Sequence, residues 1–128
     1  MPIKVLMADD SHVMRSAIRR TLEQEPRIEI VAEASTFTEA VQKISEFKPA
    51  VLLLDLHLPE EREFTAALVK AQLRGVCTLA VSLSNDDEAK ALAESYGAVS
   101  LLDKMNLYSE IIPAIMQCSN IQHFSASA

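Results

Sequence analysis

The sequence contains little cysteine and no long hydrophobic run. Its two cysteines, Cys77 and Cys118, lie far apart, so we expect two reduced packing residues rather than a metal-ligand pair or a disulfide framework. No apolar run approaches the roughly 18 residues that a membrane-spanning helix needs. Residues 1–4 also lack the apolar stretch of a signal peptide. These absences predict a cytoplasmic protein without a membrane partner.

Positive charge is scarce as well. The 12 lysines and arginines stand against 18 acidic residues, which gives a formal net charge of −6 at pH 7. Nucleic-acid binding usually depends on a basic patch, so we expect no direct binding of DNA or RNA by this domain. A protein or a small molecule is the expected partner. The 128 residues are enough for one domain with its own core, and no internal repeat divides them.

Short apolar runs alternate with segments in which apolar residues recur at helical spacing. The runs cover residues 3–8, 28–32, 51–55, 78–82 and 98–102. Such alternation is typical of βαβ units around a parallel sheet. It predicts an α/β fold, the flavodoxin-like doubly wound (βα)5 sandwich, with a five-stranded parallel sheet in the order 2-1-3-4-5.

Capping residues and prolines predict where the helices begin. Thr36 and Glu39 have the spacing of a capping box ahead of the second helix, and Asn85 begins a similar pattern ahead of the fourth. Pro59, followed by acidic residues, suits the beginning of the third helix, which we expect to continue through Phe64.

The end of the chain carries two further signals. Pro113 lies inside the last helical pattern, so we expect either a kink or a helix that begins shortly before it. Residues 119–128 are small and polar and lack periodicity. We therefore assign the folded domain to residues 1–118 and a polar C-terminal tail or the start of a linker to residues 119–128.

Acidic residues follow two of the predicted strands. Asp9 and Asp10 come after the first strand, and Asp55 ends the third. In a parallel α/β sheet the carboxyl ends of the strands form the crevice where ligands bind, so these three side chains should converge. Crowded carboxylates resist joint ionisation unless a cation lies among them. The pattern therefore predicts Mg²⁺, placed to manage a phosphoryl group.

Two more polar residues are expected at the same edge of the sheet. Ser82 ends the fourth strand, and Lys104 follows the fifth. Ser84 is an alternative to Ser82, but it is also suited to begin the next helix as a cap, and Ser82 directly ends the apolar run. His57 is a candidate base beside the pocket, although we expect its side chain to face solvent.

Four sequence pieces stand in an order and spacing known from one protein family. They are Ala8-Asp9-Asp10-Ser11, Leu54-Asp55-Leu56-His57-Leu58-Pro59, Val81-Ser82, and Gly97-Ala98 followed by Leu101-Leu102-Asp103-Lys104. Through these pieces, over roughly residues 3 to 118, the chain resembles the receiver domains of bacterial two-component response regulators.

The resemblance implies a role for each residue of the set. Asp55 is the phosphoacceptor, Ser82 contacts the phosphoryl group, Lys104 pairs with it, and Mg²⁺ is held by Asp9, Asp10, Asp55 and the backbone carbonyl of His57. The physical reason is that both the nucleophile and the incoming group are negative, so the reaction needs positive charge between them.

The implied function is a phosphorylation-dependent signalling switch. The phosphoryl group comes from a sensor histidine kinase or phosphotransfer protein, and the output passes to an effector protein or a fused output domain. A homodimer through the face of the fourth helix, fifth strand and fifth helix is possible. The chain is not expected to be an enzyme beyond its own phosphorylation and dephosphorylation.

Two alternatives stay open. One is a degenerate receiver that binds proteins without phosphorylation, against which the complete residue set argues. The other is a Mg²⁺-dependent phosphohydrolase with an aspartyl-phosphate intermediate, although such enzymes place an acid where this chain has His57.

Some positions depart from the family pattern. Residues 60–63 replace the usual glycine with a charged run, Leu101 stands where many receivers have a switching aromatic, and Met105 stands where many have proline. Leu83 follows Ser82 where a small residue is common, and we expect it to crowd the route to the phosphoryl group.

Overall fold

The computed structural model describes residues 2–58 and 64–127, with side chains described up to residue 119. Within these residues, five strands alternate with five helices. They are β1 (Ile3–Ala8), α1 (His12–Leu22), β2 (Ile28–Ala34), α2 (Phe37–Phe47), β3 (Val51–Asp55), α3 (Ala66–Gln72), β4 (Cys77–Ser82), α4 (Asp87–Ser95), β5 (Ser100–Asp103) and α5 (Leu107–Ser127), with a 3₁₀ turn at Lys104–Asn106.

All strand pairs of the sheet are parallel, in the order β2-β1-β3-β4-β5. The predicted fold class is therefore confirmed. The register aligns the carboxyl ends of the central strands: Asp55 of β3 pairs with Val81 of β4, and Ser82 pairs with Asp103 of β5. The polar residues that end these strands consequently share one edge of the sheet.

Two hydrophobic layers enclose the sheet. On one face, strand residues such as Val5 and Leu53 pack with α1 and α5. On the other face, the intervening residues, such as Leu6 and Leu52, pack with α2, α3 and α4. Because helices cover both faces, β3 and β4 are buried at every position, which explains their nearly continuous apolar runs. None of the helices in the described part of the chain is long and apolar enough to cross a membrane.

Helix beginnings match the predictions at one helix and differ at two. Thr36 caps α2, accepting a hydrogen bond from the Glu39 backbone N–H at 3.1 Å, as its spacing indicates. The cap of α4 is Asp86, one residue after the predicted Asn85, because the Asp86 carboxylate accepts from the Ala89 N–H at 2.9 Å.

The third helix also begins later than predicted. Thr65 is the N-cap of α3 and accepts from the Leu68 N–H at 3.1 Å, so Phe64 precedes the helix. The hydroxyl at position 65 offers the first unpaired N–H groups a partner, which fixes the beginning there. The predicted beginning at Pro59 and the charged run at residues 60–63 lie outside the described residues.

The last helix is longer than the sequence indicates. It begins at Leu107, several residues before Pro113, and the proline lies inside it. It continues through residues 119–127, which lack periodicity, and a helix that is already anchored extends at far lower cost than one that must nucleate. That segment is therefore helical, and its role as a linker stays a prediction.

The two cysteines are bonded to each other, and the expectation of two unrelated reduced residues is wrong. Cys77 begins β4 and Cys118 lies in α5, with their Cα atoms 6.0 Å apart. Both residues belong to the hydrophobic layer between the sheet and α5. Sequence spacing did not reveal the pair because packing of α5 on the sheet brings together residues 41 positions apart.

Candidate functional site

The predicted site residues meet at the carboxyl edge of the sheet. Asp9 and Asp10 follow β1, and Asp55 is the last residue of β3. One carboxylate oxygen from each of the three acids lies within 4.8 Å of the others. Asp9 and Asp55 are buried, whereas Asp10 is exposed at the mouth of the pocket.

Asp55 has its two oxygens in different environments. Oδ1 accepts a hydrogen bond from the His57 backbone N–H at 3.0 Å. Oδ2 lies 3.5 Å from Lys104 Nζ and takes part in no hydrogen bond with the described residues. Burial raises the pKa of Asp55 above its ordinary value, and the neighbouring carboxylates of Asp9 and Asp10 raise it further. The hydrogen bond from the His57 N–H and the charge of Lys104 lower the pKa, but they do not outweigh the other contributions.

Lys104 bridges the two buried acids. Its ammonium nitrogen lies 3.2 Å from Asp9 Oδ2 and 3.5 Å from Asp55 Oδ2, and the lysine side chain is only 12% exposed. The other oxygen of Asp9 accepts from the Ser11 backbone N–H at 2.8 Å. Three carboxylates against one ammonium leave the pocket with an excess of negative charge when all are ionised.

Ser82 lies in the wall of the pocket and is fully buried. Its Oγ accepts from the Ser84 backbone N–H at 3.1 Å, which fixes the turn after β4. Ser84 is exposed and does not cap α4, because Asp86 has that role. The His57 side chain is exposed, as expected, while its backbone N–H holds Asp55.

The residues that differ from the family pattern are buried to different extents. The side chains of Leu83 and Met105 are directed mainly to solvent, with 69% and 76% of their residue surfaces exposed. Leu101 is half-buried against the layer that contains α4. The effect of Leu83 on access to the phosphoryl group stays a prediction.

One residue at the site was missed by the sequence reasoning. Arg15, in the first turn of α1, donates from Nη1 to the backbone carbonyl of Asp9 at 2.6 Å and from Nε to Glu33 Oε1 at 3.0 Å. Opposite charges at the two positions were visible in the sequence. Their pairing depends on the packing of α1 beside β2, which residue spacing does not show.

The acid cluster fits a hard divalent cation. Mg²⁺ takes oxygen ligands at about 2.0–2.1 Å, so two ligands on opposite sides of one ion lie about 4.2 Å apart. One carboxylate oxygen from each of Asp9, Asp10 and Asp55 lies within 4.8 Å of the other two, which is close enough for the three to approach one ion. These three residues would therefore hold the ion, and the role of the His57 carbonyl stays a prediction.

Comparison with known proteins identifies the family. The family model for the response regulator receiver domain matches residues 5–116. The chain belongs to this family. Receiver domains bind Mg²⁺ at an acidic pocket, and this chain has an acidic cluster of Asp9, Asp10 and Asp55 at the corresponding edge of the sheet.

Curated relatives of this receiver domain include longer proteins. It is 31% identical over 102 residues to protein-glutamate methylesterase/protein-glutamine glutaminase 3 of Geobacter sulfurreducens, covering 80% of this chain and 28% of the relative. It is 45% identical over 64 residues to protein-glutamate methylesterase/protein-glutamine glutaminase 2 of Carboxydothermus hydrogenoformans, covering 50% and 18%. The chain thus spans less than a third of the length of these two relatives.

Solved structures share the fold over nearly the whole chain. The signal receiver domain of the response regulator NarL from Mycobacterium tuberculosis is 26% identical with a TM-score of 0.82, covering 93% of this chain and 97% of that one. The response regulator domain of Thermotoga maritima CheB is 24% identical with a TM-score of 0.80, covering 94% and 98%. The CheB likeness shows the fold alone.

Proposed function

We propose that this receiver domain is a phosphorylation-dependent switch in which Asp55 accepts a phosphoryl group from a sensor histidine kinase or phosphotransfer protein. The observation that carries the proposal is the arrangement around Asp55. Its Oδ2 faces Lys104 at 3.5 Å, and the acids Asp9 and Asp10 complete a candidate cation site beside it. The family places the chain in two-component signalling.

Asp55 reacts as a carboxylate. Oδ2 forms the new bond to phosphorus while the bond from phosphorus to the donor's histidine nitrogen breaks, and Oδ1 stays held by the His57 N–H. When bound, Mg²⁺ supplies positive charge that lets two negative groups approach. Burial raises the pKa of Asp55, and the positive charge of Lys104 acts to lower it. Lys104 therefore favours the ionised nucleophile.

The phosphoryl group then changes the contacts of two residues. Lys104 exchanges part of its ion pairing with Asp9 and Asp55 for the new phosphoryl oxygens, and the Ser82 hydroxyl turns towards them. Reversing a 1:99 equilibrium takes about 5.5 kcal/mol, and a few charge-assisted contacts are of that order.

The output of this switch is a protein contact. We assign it to the face of α4, β5 and α5, because Lys104 directly joins β5 to the turn that begins α5. The partner is an effector protein, a fused output domain, or a second copy of the chain on this face. We place the reaction in the cytoplasm, without direct nucleic-acid binding by this domain.

No enzymatic activity beyond self-phosphorylation and self-dephosphorylation is included in the proposal. A phosphohydrolase of the aspartyl-phosphate type needs an acid two residues after the nucleophile. That position is His57, whose side chain is exposed. The methylesterase activity named for the longer relatives is not assigned to this chain.

The assignment of Asp55 is tested by chemical phosphorylation. The protein is incubated with acetyl phosphate and Mg²⁺, and phosphate that is stable in acid and labile in base is measured on the parent, on Asp55→Asn and on Asp87→Asn. Asp87, an exposed acid of α4, is the matched control. We expect labelling of the parent and the control only. Labelling that persists in Asp55→Asn would rule out this phosphoacceptor.

A further inference from the structure

Arg15 joins the candidate cation site to the edge of the sheet. Its Nη1 donates to the backbone carbonyl of Asp9 at 2.6 Å, and its Nε donates to Glu33 Oε1 at 3.0 Å. The Arg15 side chain is 16% exposed, and both contacts are partly shielded from water. A planar guanidinium that makes two directed hydrogen bonds has little freedom to move.

Glu33 is itself held firmly. Its second carboxylate oxygen accepts hydrogen bonds from Arg19, and its backbone carbonyl accepts from Lys43 of α2. Partial burial acts to raise the pKa of Glu33, but the hydrogen bonds and charges of Arg19 and Arg15 outweigh it and keep the pKa below its ordinary value. Glu33 is therefore an ionised, fixed anchor for Arg15.

The carbonyl that Arg15 binds belongs to the peptide unit between Asp9 and Asp10. The Asp9 backbone N–H is also fixed, because it donates to the Ala34 carbonyl at 3.0 Å. Asp10, in contrast, has an exposed side chain whose carboxylate accepts no hydrogen bond from the described residues. The direction in which Asp10 projects depends on the plane of the peptide that precedes it.

We infer that Arg15, anchored by Glu33, is a positioning residue that fixes the Asp9–Asp10 peptide and thereby aims Asp10 at the divalent cation. The inference rests on the proposed function for the presence of that cation, but it concerns metal affinity and not phosphoryl transfer. Residues that orient metal ligands typically affect metal affinity by about 10- to 100-fold.

The sign of the effect separates positioning from simple electrostatics. Arg15 is a cation close to the site, so its removal by charge alone should leave the binding of a divalent cation unchanged or make it tighter. If Arg15 positions Asp10, its removal weakens binding. Arg19 is a suitable control because it makes comparable contacts with Glu33 and carries the same charge, yet forms no hydrogen bond or ion pair with Asp9 in the part of the chain that the structure describes.

The experiment measures Mn²⁺ binding by electron paramagnetic resonance on the parent, Arg15→Met, Arg15→Lys, Arg19→Met and Asp9→Asn. We expect Arg15→Met to raise the Kd for Mn²⁺ about tenfold. Arg15→Lys should raise the Kd less, because lysine keeps the positive charge but lacks the planar guanidinium that donates to both Asp9 and Glu33. Arg19→Met should raise the Kd less than Arg15→Met does, because it loosens Glu33 but leaves the contact of Arg15 with Asp9, and Asp9→Asn should lose binding.

Two further readouts make the test decisive. At saturating Mg²⁺, phosphorylation of Arg15→Met by acetyl phosphate should recover to near the parent rate, while the Mg²⁺ concentration for half-maximal rate rises. A parent-like Kd in Arg15→Met, or an equal rise in Arg19→Met, would overturn the inference. If Mn²⁺ binding depends on Arg15 but Asp55 is never labelled, the proposed function fails and the inference stands.

Discussion

Asp55 shows how strongly one residue depends on its surroundings. The same carboxylate is pushed towards its neutral form by burial and by Asp9 and Asp10, and towards its ionised form by the His57 N–H and Lys104. The net result is a raised pKa, which means that the folded state is less stable with Asp55 ionised than with Asp55 neutral. A cation changes this balance, because it stabilises the charged form.

This balance predicts a pH-dependent gain in stability on neutralising Asp55. Because the folded pKa is raised, the parent loses stability as the pH rises through that value, and Asp55→Asn does not. In EDTA, Asp55→Asn should therefore have the larger free energy of unfolding at pH 7, with a smaller difference at pH 3.8, the ordinary pKa of an aspartate. Urea unfolding measures it.

Added Mg²⁺ should reverse the comparison by stabilising the parent and not Asp55→Asn. Asp87→Asn, which changes an exposed acid of α4, should behave as the parent does at both pH values. A parent that is more stable than Asp55→Asn in EDTA at pH 7 would contradict the raised pKa.

The helices illustrate how local chemistry sets the limits of an element. Thr36 and Glu39 predicted the beginning of α2 correctly because the cap and its partner are three residues apart and act locally. At α4, two neighbouring residues were both chemically able to cap, and the spacing favoured the wrong one. Asp86 has the role because the chain leaves β4 through a turn held by Ser82 and Ser84.

Substitution of the two candidate caps tests the observed beginning of α4. Asp86→Ala should lower the melting temperature at pH 7, whereas Asn85→Ala should leave it nearly unchanged. The backbone hydrogen bond from Ala89 lowers the pKa of Asp86, so the stabilising effect is present above the ordinary pKa of an aspartate and is lost as the pH falls through the lowered value. Equal effects of both substitutions would contradict this cap.

At the scale of the whole molecule, the sheet and its polar edge were predictable and the long-range pairings were not. Strand order and the convergence of Asp9, Asp10 and Asp55 follow from the alternation of elements and the rule for parallel sheets. The contact of Arg15 with Asp9 and the bond between the two cysteines depend on how helices pack on the sheet. Nothing in the local spacing encodes that packing.

The link between Cys77 and Cys118 should contribute to global stability. It closes a loop with a sequence separation of 41, for which the chain-entropy account gives a contribution of about 4 kcal/mol. We therefore expect reduction to lower the free energy of unfolding by up to roughly that amount. Guanidinium unfolding with and without a reductant measures the difference.

The variant Cys77→Ala/Cys118→Ala, which adds no hydroxyl to the hydrophobic layer, is the control for this measurement. It should resemble the reduced parent and should not respond to the reductant. An oxidised parent that unfolds at the same guanidinium concentration as this variant would show that the bond has no role in stability.

Helix α5 is fastened at two places that differ in kind. Just before it, Lys104 is held by electrostatic attraction to Asp9 and Asp55. Near the middle of the helix, Cys118 is bonded covalently to Cys77. Because of the covalent bond, α5 cannot move along the sheet as a rigid body when Lys104 is drawn to a phosphoryl group on Asp55. The helix has to deform between Lys104 and Cys118. Pro113 lies in that interval, and because proline has no backbone N–H, one helical hydrogen bond is missing there.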